Sequence, residues 1–299
     1  MTTSASWQVW STVAEVAVVD PGDLPRLRHI AEQTVDDVDR ACSRFRADSE
    51  IAALAPHLES GGQVSEVLAR IVGDALVGAR LTDGLVDPTL GTLLHQLGWV
   101  AAGSAPTPLS IASRATWRDV TLDERTLTAP AGVRFDFGST GKATTSDLII
   151  ERACDSGIRA GALVSLGGDI ATSPQGPSGG WVITVQDMPQ DPLERVALTG
   201  GAAIATSSTR HRRLPVGGAA TSHILDPRSG HPAADIWGAA TCIAGSCAHA
   251  NSAATAAIVL GSTGPSWLEA RQIPARLVTP GGDIVLTQRW PSVKEHAHV

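Results

Sequence analysis

The chain has 299 residues, a formal net charge of −7 and 43% hydrophobic residues. This hydrophobic content is sufficient for a packed core and excludes an intrinsically disordered chain. The negative charge argues against a nucleic-acid partner, and the scarcity of aromatic residues (eight Trp, three Phe and no Tyr) argues against a base-stacking surface.

The cysteine spacing and the lengths of the apolar segments indicate the cellular compartment of the protein. No two of the four cysteines have the Cys-x-x-Cys spacing of zinc or thioredoxin-like sites, which predicts small buried residues in a reduced chain. The N-terminus has no basic start and no continuous apolar region, and no window approaches the ~18 apolar residues of a membrane span. The sequence therefore predicts a cytoplasmic protein with no signal peptide and no membrane span.

Apolar periodicity and capping residues predict the elements of the N-terminal half. Leu24, Leu27 and Ile30 begin a series at helical spacing that continues to Phe45. The predicted order is a strand or hairpin over 7–19, a helix over 24–45, one or two helical turns over 49–55, a long helix capped by Ser65, and a loop over 82–91 before a short helix.

The C-terminal half is predicted to be richer in strands. The predicted order is an exposed loop over 102–110, paired strands over 119–137, a helix to about Cys154, a buried strand over 161–170 ending in a Gly-Gly-Asp turn, strands over 180–187 and 195–208, a small-residue helix over 246–261 and a hairpin over 275–290. Strands and helices come in runs, which favours an α+β fold with mixed sheets and flanking helices. No repeat or linker divides the chain, so we expect one domain over 7–290 and a flexible tail over 291–299.

The stretch FDFGSTGKATTSDLI (135–149) places a Gly/Ser/Thr turn and Lys142 at the start of a predicted helix. Backbone N–H groups at such a start attract phosphate. The P-loop pattern requires glycine where this chain has Asp136, so a P-loop NTPase is not expected. An ordinary strand-to-helix turn with an exposed lysine is the alternative.

Three further motifs each allow a functional and a structural interpretation. Asp169 follows two glycines and suits either a ligand or a hairpin turn. Asp83 and Asp87 suit either a cleft or the capping of helix ends. Asn251 and Thr255 lie one helical turn apart, which suits either oxygen ligation of Mg²⁺ or tight helix packing.

A fourth motif is the run TSHILDPRSGHPA (221–233). Its first residues are typical of a strand, and Asp226-Pro227-Arg228-Ser229-Gly230 is turn chemistry. A structural loop of this kind requires Asp, Pro and Gly, but it does not require His223 at the end of a strand. His223 is therefore a candidate functional residue.

Taken together and in this order, these motifs resemble the ApbE family of flavin transferases. The resemblance covers about residues 7–290, and its most specific parts are HILDPRSGHP (223–232) and LGGD (166–169). It further includes the stretches SRFRADSEIAAL (43–54), TDGLVDPTLGTLLHQLGW (82–99), FDFGSTGKATTSDLI (135–149), AIATSSTRHRR (203–213) and ANSAATAAIVLG (250–261).

The resemblance implies a cleft for FAD between a larger and a smaller subdomain, and Mg²⁺-dependent transfer of FMN to a Ser/Thr hydroxyl of an acceptor protein, with AMP released. His223 would take the proton from that hydroxyl. Asp226 would orient His223 or hold the turn, Arg228 would pair with a surface acid, and Lys142 would lie near the phosphates.

The resemblance also implies two sets of binding residues. The metal would be bound by the carbonyl of Gly141 and by Asn251 and Thr255. The FAD site would include Trp10, Asp83, Asp87, Ser139, Thr140, Lys142, Asp147, Gly168 and Asp169.

Several positions depart from the family pattern. Asn251 stands where many members have Asp, which keeps an oxygen ligand but removes a charge. Trp10-Ser11-Thr12 replaces Met-Gly-Thr, so Trp10 would either stack on the flavin or fill its pocket. Ser139 and Ala143 replace common glycines.

Three functions remain open at this point. The first is an FAD:protein FMN transferase, and the second is an FAD pyrophosphatase that uses water as the nucleophile. The third is a non-catalytic FAD-binding protein with a degraded metal site, which Asn251 and Trp10 favour. The retention of His223, Asp226, Lys142 and Thr255 disfavours the third, and the first two differ only in the acceptor.

Overall fold

A computed structural model describes residues 2–96, 115–211, 213–216 and 219–291. The predicted loop over 102–110 and all but the first residue of the predicted tail lie outside the described residues. The helices in the described part are α1 Leu24–Cys42, α2 Glu50–Leu54, α3 Glu66–Leu81, α4 Gly91–Gln96, α5 Gly141–Asp155, α6 Cys247–Leu260 and α7 Gly264–Ala270.

The strands form one large sheet and three small ones. The strands are β1 Thr3–Val9, β2 Thr12–Val18, β3 Gly62–Gln63, β4 Thr121–Asp123, β5 Thr126–Thr128, β6 Ala162–Leu166, β7 Asp169–Thr172, β8 Trp181–Val185, β9 Glu194–Leu198, β10 Ala203–Ser208, β11 Arg213–Val216, β12 Ala219–Ser222, β13 Ala239–Ala244, β14 Ala275–Val278 and β15 Ile284–Leu286. The large sheet has the order β1-β2-β6-β7-β10-β13-β14-β15, and the small sheets are β3-β5-β4, β8-β9 and β11-β12. Each strand pair described is antiparallel.

The central strands of the large sheet are buried on both faces. In β2, Val16 and Val18 belong to a core cluster shared with α1 and α5, whereas Ala17 points to the opposite face. There Ala17 packs in a second cluster with Leu163 and with Trp181 of the β8-β9 hairpin. This alternation is the two-residue period of a strand, and here both sets of side chains are covered.

Helix α6 is the most deeply buried helix and is built from small residues. Ala250, Ala253, Ala254 and Ala257 are fully buried, because α6 packs against β10 and β13 on one side and α3 and α5 on the others. Alanine side chains allow this close approach on every face. The site residues on α6 are therefore held by a rigid element.

The predicted α+β fold with flanking helices is confirmed. The helices over 24–45, 49–55, after Ser65 and over 246–261 are present within a few residues of their predicted bounds. The β11-β12 hairpin was not predicted.

The predicted Gly-Gly-Asp turn is present, because Gly167 and Gly168 connect β6 to β7 and Leu166 pairs with Asp169. Asp169 is also the first residue of β7. A local prediction for the run 221–233 was wrong. The residues after Ser222 do not continue as a strand, and only an isolated bridge joins Leu225 to Pro232. The reason is that the segment closes on itself, since the amide of Asp226 donates to the carbonyl of His231 at 2.8 Å.

No helix within the described ranges is both long enough and apolar enough to cross a membrane.

The packing of α6 predicts a cost for any larger side chain. Replacing the fully buried Ala254 by Leu should lower the free energy of unfolding by about 1–3 kcal/mol, because the added atoms have no space. Urea denaturation measures this loss. Ala270→Leu, at the exposed end of α7, is the matched control and should stay near the parent. Equal stabilities for the two variants would contradict the packing described here.

Candidate active site

A cavity of about 690 Å³ lies where several connections meet beside the large sheet. This volume is within the range of small-molecule sites. The lining comprises Ser11, Thr12, Arg44, Leu85, Val86, Asp87, Leu90, Leu94, Asp136, Gly138, Ser139, Lys142, Gly167, Thr206, Ser207, Ser208, His211, His223, Ile224, Leu225, Asn251 and Thr255. The segments that carried the predicted motifs therefore meet at one cavity.

An ion pair joins Lys142, which lines this cavity, to the buried carboxylate of Asp169. The ammonium of Lys142, in the first turn of α5, donates to the Oδ2 atom of Asp169. Asp169 is only 1% exposed, and the hydroxyl of Ser146 donates to its backbone carbonyl at 3.0 Å. Since a buried carboxylate is costly without a partner, this pair fixes β7 against α5.

The side-chain amide of Asn251, on α6, binds the same carboxylate of Asp169. The Nδ2 atom of Asn251 donates to Oδ1 of Asp169 at 3.1 Å, and the hydroxyl of Thr255 lies 3.5 Å from Oδ1 of Asn251. The hydroxyl of Thr255 also lies 2.7 Å from that of Ser207, and either hydroxyl can be the donor. We call Lys142, Asp169, Asn251, Thr255 and Ser207 the polar strip.

The glycine turn before Asp169 brings the backbone close to a neighbouring strand. Gly167 has φ of +63°, and a Cβ atom there would lie 2.4 Å from Oγ1 of Thr12. Gly168 has φ of +91° and open space around it. Gly167 lines the cavity, so the close approach occurs one residue before the predicted Gly168.

The start of α5 presents part of the predicted phosphate turn. Ser139 lines the cavity, whereas Thr140 is buried as the residue before the helix. The carbonyl of Gly141 accepts a hydrogen bond from the hydroxyl of Thr145 at 2.6 Å. Of these three predicted residues, only Ser139 lines the main cavity.

His223 is half-buried and lines the cavity beside Ile224 and Leu225. Asp226 accepts hydrogen bonds from the backbone amide and the guanidinium of Arg228, at 2.9 Å and 2.8 Å. Burial by itself would raise the pKa of Asp226, but the hydrogen bonds from Arg228 outweigh it and lower the pKa. Asp226 thus holds the turn and provides the acid that pairs with Arg228.

The two aspartates of the segment 82–91 lie in different environments, one at the cavity and one on the surface. Asp87 lines the cavity and also accepts hydrogen bonds from the amide and hydroxyl of Thr89, at 2.9 Å and 2.7 Å. Asp83 is 85% exposed and pairs with Arg118 at 3.0 Å on the surface. The contact with Arg118 joins two distant loops and was not visible in the local pattern.

Trp10 lies in the β1-β2 turn with φ of +45° and packs against two core clusters. It lines a smaller adjoining cavity of about 220 Å³, together with Phe45 and Phe137. Arg44 and Asp136 border both cavities and form an ion pair of 3.0 Å. Trp10 therefore contacts the side cavity rather than the main one.

Asp147 lies behind the site. Its two carboxylate oxygens accept hydrogen bonds from the backbone amides of Cys247 and Ala248, at 2.8 Å and 3.0 Å. Asp147 therefore caps the start of α6 from the neighbouring helix α5. Burial raises the pKa of Asp147 to about 6, against the opposite effect of these two hydrogen bonds.

The sequence patterns missed a second polar cluster at the cavity. His211 lines the cavity and lies 2.8 Å from a carboxylate oxygen of Asp187, measured from Nε2. The two residues are separated along the chain, so no local motif could join them. The run TSS (206–208) at the end of β10 is a local sequence signal for this part of the site, because it places three hydroxyl side chains in a row. All three residues line the cavity.

The predicted metal ligands suit a hard cation but supply no charge. Among the described residues, no group of three or more His, Cys, Asp or Glu is placed to hold a metal. Gly141, Asn251 and Thr255 offer a carbonyl, an amide and a hydroxyl oxygen, which are ligand types that Mg²⁺ accepts. The neighbouring carboxylate of Asp169 is neutralised by Lys142, so we expect modest affinity for Mg²⁺.

Comparison with known proteins places the chain in one class. Residues 1–277 match the model of the ApbE family. The chain therefore belongs to the ApbE family.

Curated relatives share this assignment over most of their length. The FAD:protein FMN transferase of Vibrio cholerae is 26% identical over 89% of this chain and 84% of the relative. The protein of the same name from Escherichia coli K12 is 25% identical over 94% of this chain and 84% of the relative.

Solved structures confirm the fold. The crystal structure of the flavinyl transferase ApbE of Pseudomonas stutzeri has a TM-score of 0.82, with 24% identity over 96% of this chain and 95% of that one. The ApbE protein of Thermotoga maritima also has a TM-score of 0.82, with 24% identity over 96% and 97% of the two chains.

The raised pKa of Asp147 predicts a pH dependence of stability. The pKa rises from 3.8 to about 6 on folding, so the folded chain holds this proton more tightly than the unfolded chain. Its contribution to the free energy of unfolding is therefore largest below about pH 4 and is lost as the pH rises towards 6, with a slope of up to about 1.4 kcal/mol per pH unit.

Urea denaturation between pH 4 and 7 measures this contribution. The stability of the parent relative to Asp147→Asn should fall as the pH rises through that interval. Asp155→Asn, an exposed substitution in the same helix, controls for the loss of one aspartate. A relative stability that rises with pH would contradict the assignment.

Proposed function

We propose that this chain transfers FMN from FAD to a Ser/Thr hydroxyl of an acceptor protein and releases AMP. The observation that carries the proposal is that His223 lines one cavity together with Lys142, Ser207, Asn251 and Thr255, the four residues of the polar strip that reach it. Membership of the ApbE family and the names of the curated relatives support the same reaction.

In the proposed reaction, the acceptor hydroxyl oxygen attacks the phosphorus of the FMN phosphate. His223 takes the hydroxyl proton as the oxygen–phosphorus bond forms. The bond between this phosphorus and the bridging oxygen breaks, and AMP leaves with that oxygen. The acceptor is left with a phosphodiester link to the flavin.

Negative charge on the phosphates is the main electrostatic demand of this step. Lys142 supplies a cation near the base of the cavity, and Ser139 and Ser207 supply hydroxyl donors. Mg²⁺, held by Gly141, Asn251 and Thr255, would supply further charge neutralisation. Because Asp169 already balances Lys142, the protein contributes little net charge of its own at this point.

The first test is incubation of the protein with FAD, Mg²⁺ and an acceptor domain. Transfer predicts a fluorescent flavin bound covalently to the acceptor and one AMP per flavin attached. EDTA should abolish the reaction. Release of FMN and AMP without labelling would show a pyrophosphatase, and binding of FAD without AMP release would show a non-catalytic flavin protein.

His223→Ala should separate binding from chemistry. A base acts in the transition state, so the Kd for FAD should stay within about twofold while the transfer rate falls by about 10²–10⁴-fold. Flavin fluorescence titration and acceptor labelling measure the two quantities. His231→Ala, an exposed histidine after the same turn, is the matched control. Parental transfer by His223→Ala would remove His223 from the mechanism.

Asn251→Asp tests the metal assignment. The new carboxylate would lie beside that of Asp169, where Asn251 now donates at 3.1 Å. Two adjacent carboxylates attract a cation, so the Mg²⁺ concentration for half-maximal activity should fall, and Mg²⁺ should raise the Tm of the variant more than that of the parent. Adding Thr255→Ala to this variant should reduce both the gain in Mg²⁺ affinity and the rise in Tm with Mg²⁺. An unchanged Mg²⁺ requirement would show that Asn251 is not a ligand.

A further inference from the structure

His211 lies at the end of the cavity where the chain leaves β10. The Nε2 atom of its ring lies 2.8 Å from Oδ1 of Asp187. The side chain of His211 is 56% exposed, whereas that of Asp187 is only 6% exposed. One nitrogen of the ring is therefore held by a buried carboxylate. When the ring is protonated, Nδ1 carries a second N–H that can donate to an anionic ligand.

The carboxylate that holds this ring is itself fixed. Asp187 accepts hydrogen bonds from the hydroxyl of Ser208 at 2.9 Å and from Nε of Arg210 at 3.0 Å. Arg210 also donates to Asp191 at 2.9 Å. Two buried carboxylates share one guanidinium, so this cluster has a formal charge of −1 and favours a hydrogen-bond donor such as the imidazole N–H.

His211 extends the polar strip along the cavity wall. The strip runs from Lys142 to Ser207, and the next residue, Ser208, contacts Asp187 and so connects to His211. Lys142 and His211 thus lie at the two ends of a row of connected polar side chains. The apolar lining comes from other segments, 85–94 and 224–225.

This separation indicates which part of a dinucleotide faces the row. Hydroxyl groups and a protonated imidazole donate to phosphate oxygens, whereas the flavin and adenine rings suit the apolar segments. We propose that His211 binds a phosphate of the dinucleotide, and that Asp187 and Arg210 are positioning residues for it. This inference rests on the proposed function, because it takes FAD to be the ligand of the cavity.

Binding of partial ligands to His211→Gln tests the assignment. ADP carries the phosphates without the flavin, and riboflavin carries the flavin without phosphate. The Kd for ADP and for FAD should rise about tenfold or more, as expected for the loss of a hydrogen bond to a charged group. The Kd for riboflavin should stay within about twofold. Calorimetry measures all three, and His231→Gln is the matched control.

Two further variants separate binding from a purely structural role. His211→Arg places a cationic donor beside Asp187 and should retain most of the affinity for ADP. Asp187→Asn should weaken ADP binding in the same direction as His211→Gln. If His211→Gln weakens riboflavin as much as ADP, or leaves the Kd for ADP unchanged, the assignment is overturned.

Failure of the proposed function gives a different result. A parent protein that binds ADP but never labels an acceptor would overturn flavin transfer. The ADP results would still decide the role of His211.

Discussion

The buried contact between Lys142 and Asp169 is the interaction on which the site depends. It joins the first turn of α5 to the first residue of β7, and Asn251 adds α6 to the same carboxylate. Each of these elements is firmly packed by its own apolar residues, so the position of the polar groups follows from the packing. A charge this deeply buried is stable only with its partners in place, which makes the contact a strong geometric constraint.

Helices α5 and α6 are also joined by a second polar contact. Asp147, one turn beyond Lys142, caps the start of α6, while Asn251 at the start of α6 contacts the partner of Lys142. The two helices are therefore joined by one direct polar contact and by a second that passes through Asp169. Small residues on α6 allow this approach, because larger side chains would separate the backbones.

The charge balance of the cavity is the reason to expect weak binding at the predicted cation site. Lys142 neutralises Asp169, and Arg44 pairs with Asp136. The predicted ligands on α5 and α6 are neutral oxygens. The cavity therefore offers many donors and few uncompensated acids, an arrangement that suits an anionic ligand more than a tightly bound resident metal.

The local sequence by itself determined the helices, most strands and the motifs at the cavity. Apolar spacing predicts α1 and α3, and Ser65 predicts the start of α3. That the runs around Lys142, Asp169, His223 and Asn251 form one site is implied by their joint resemblance to the ApbE family. These signals are short-range, since helix periodicity, capping and turn chemistry each depend on a few neighbouring residues.

Only the tertiary structure decided which polar residues reach the cavity. Asp83 and Asp87 belong to one motif, yet Asp83 pairs with Arg118 on the surface while Asp87 lines the cavity. Asp147 caps a helix, and His211 meets Asp187 through the fold. The physical reason is that a polar side chain takes the partner that packing brings within hydrogen-bond distance, and that partner is often distant along the chain.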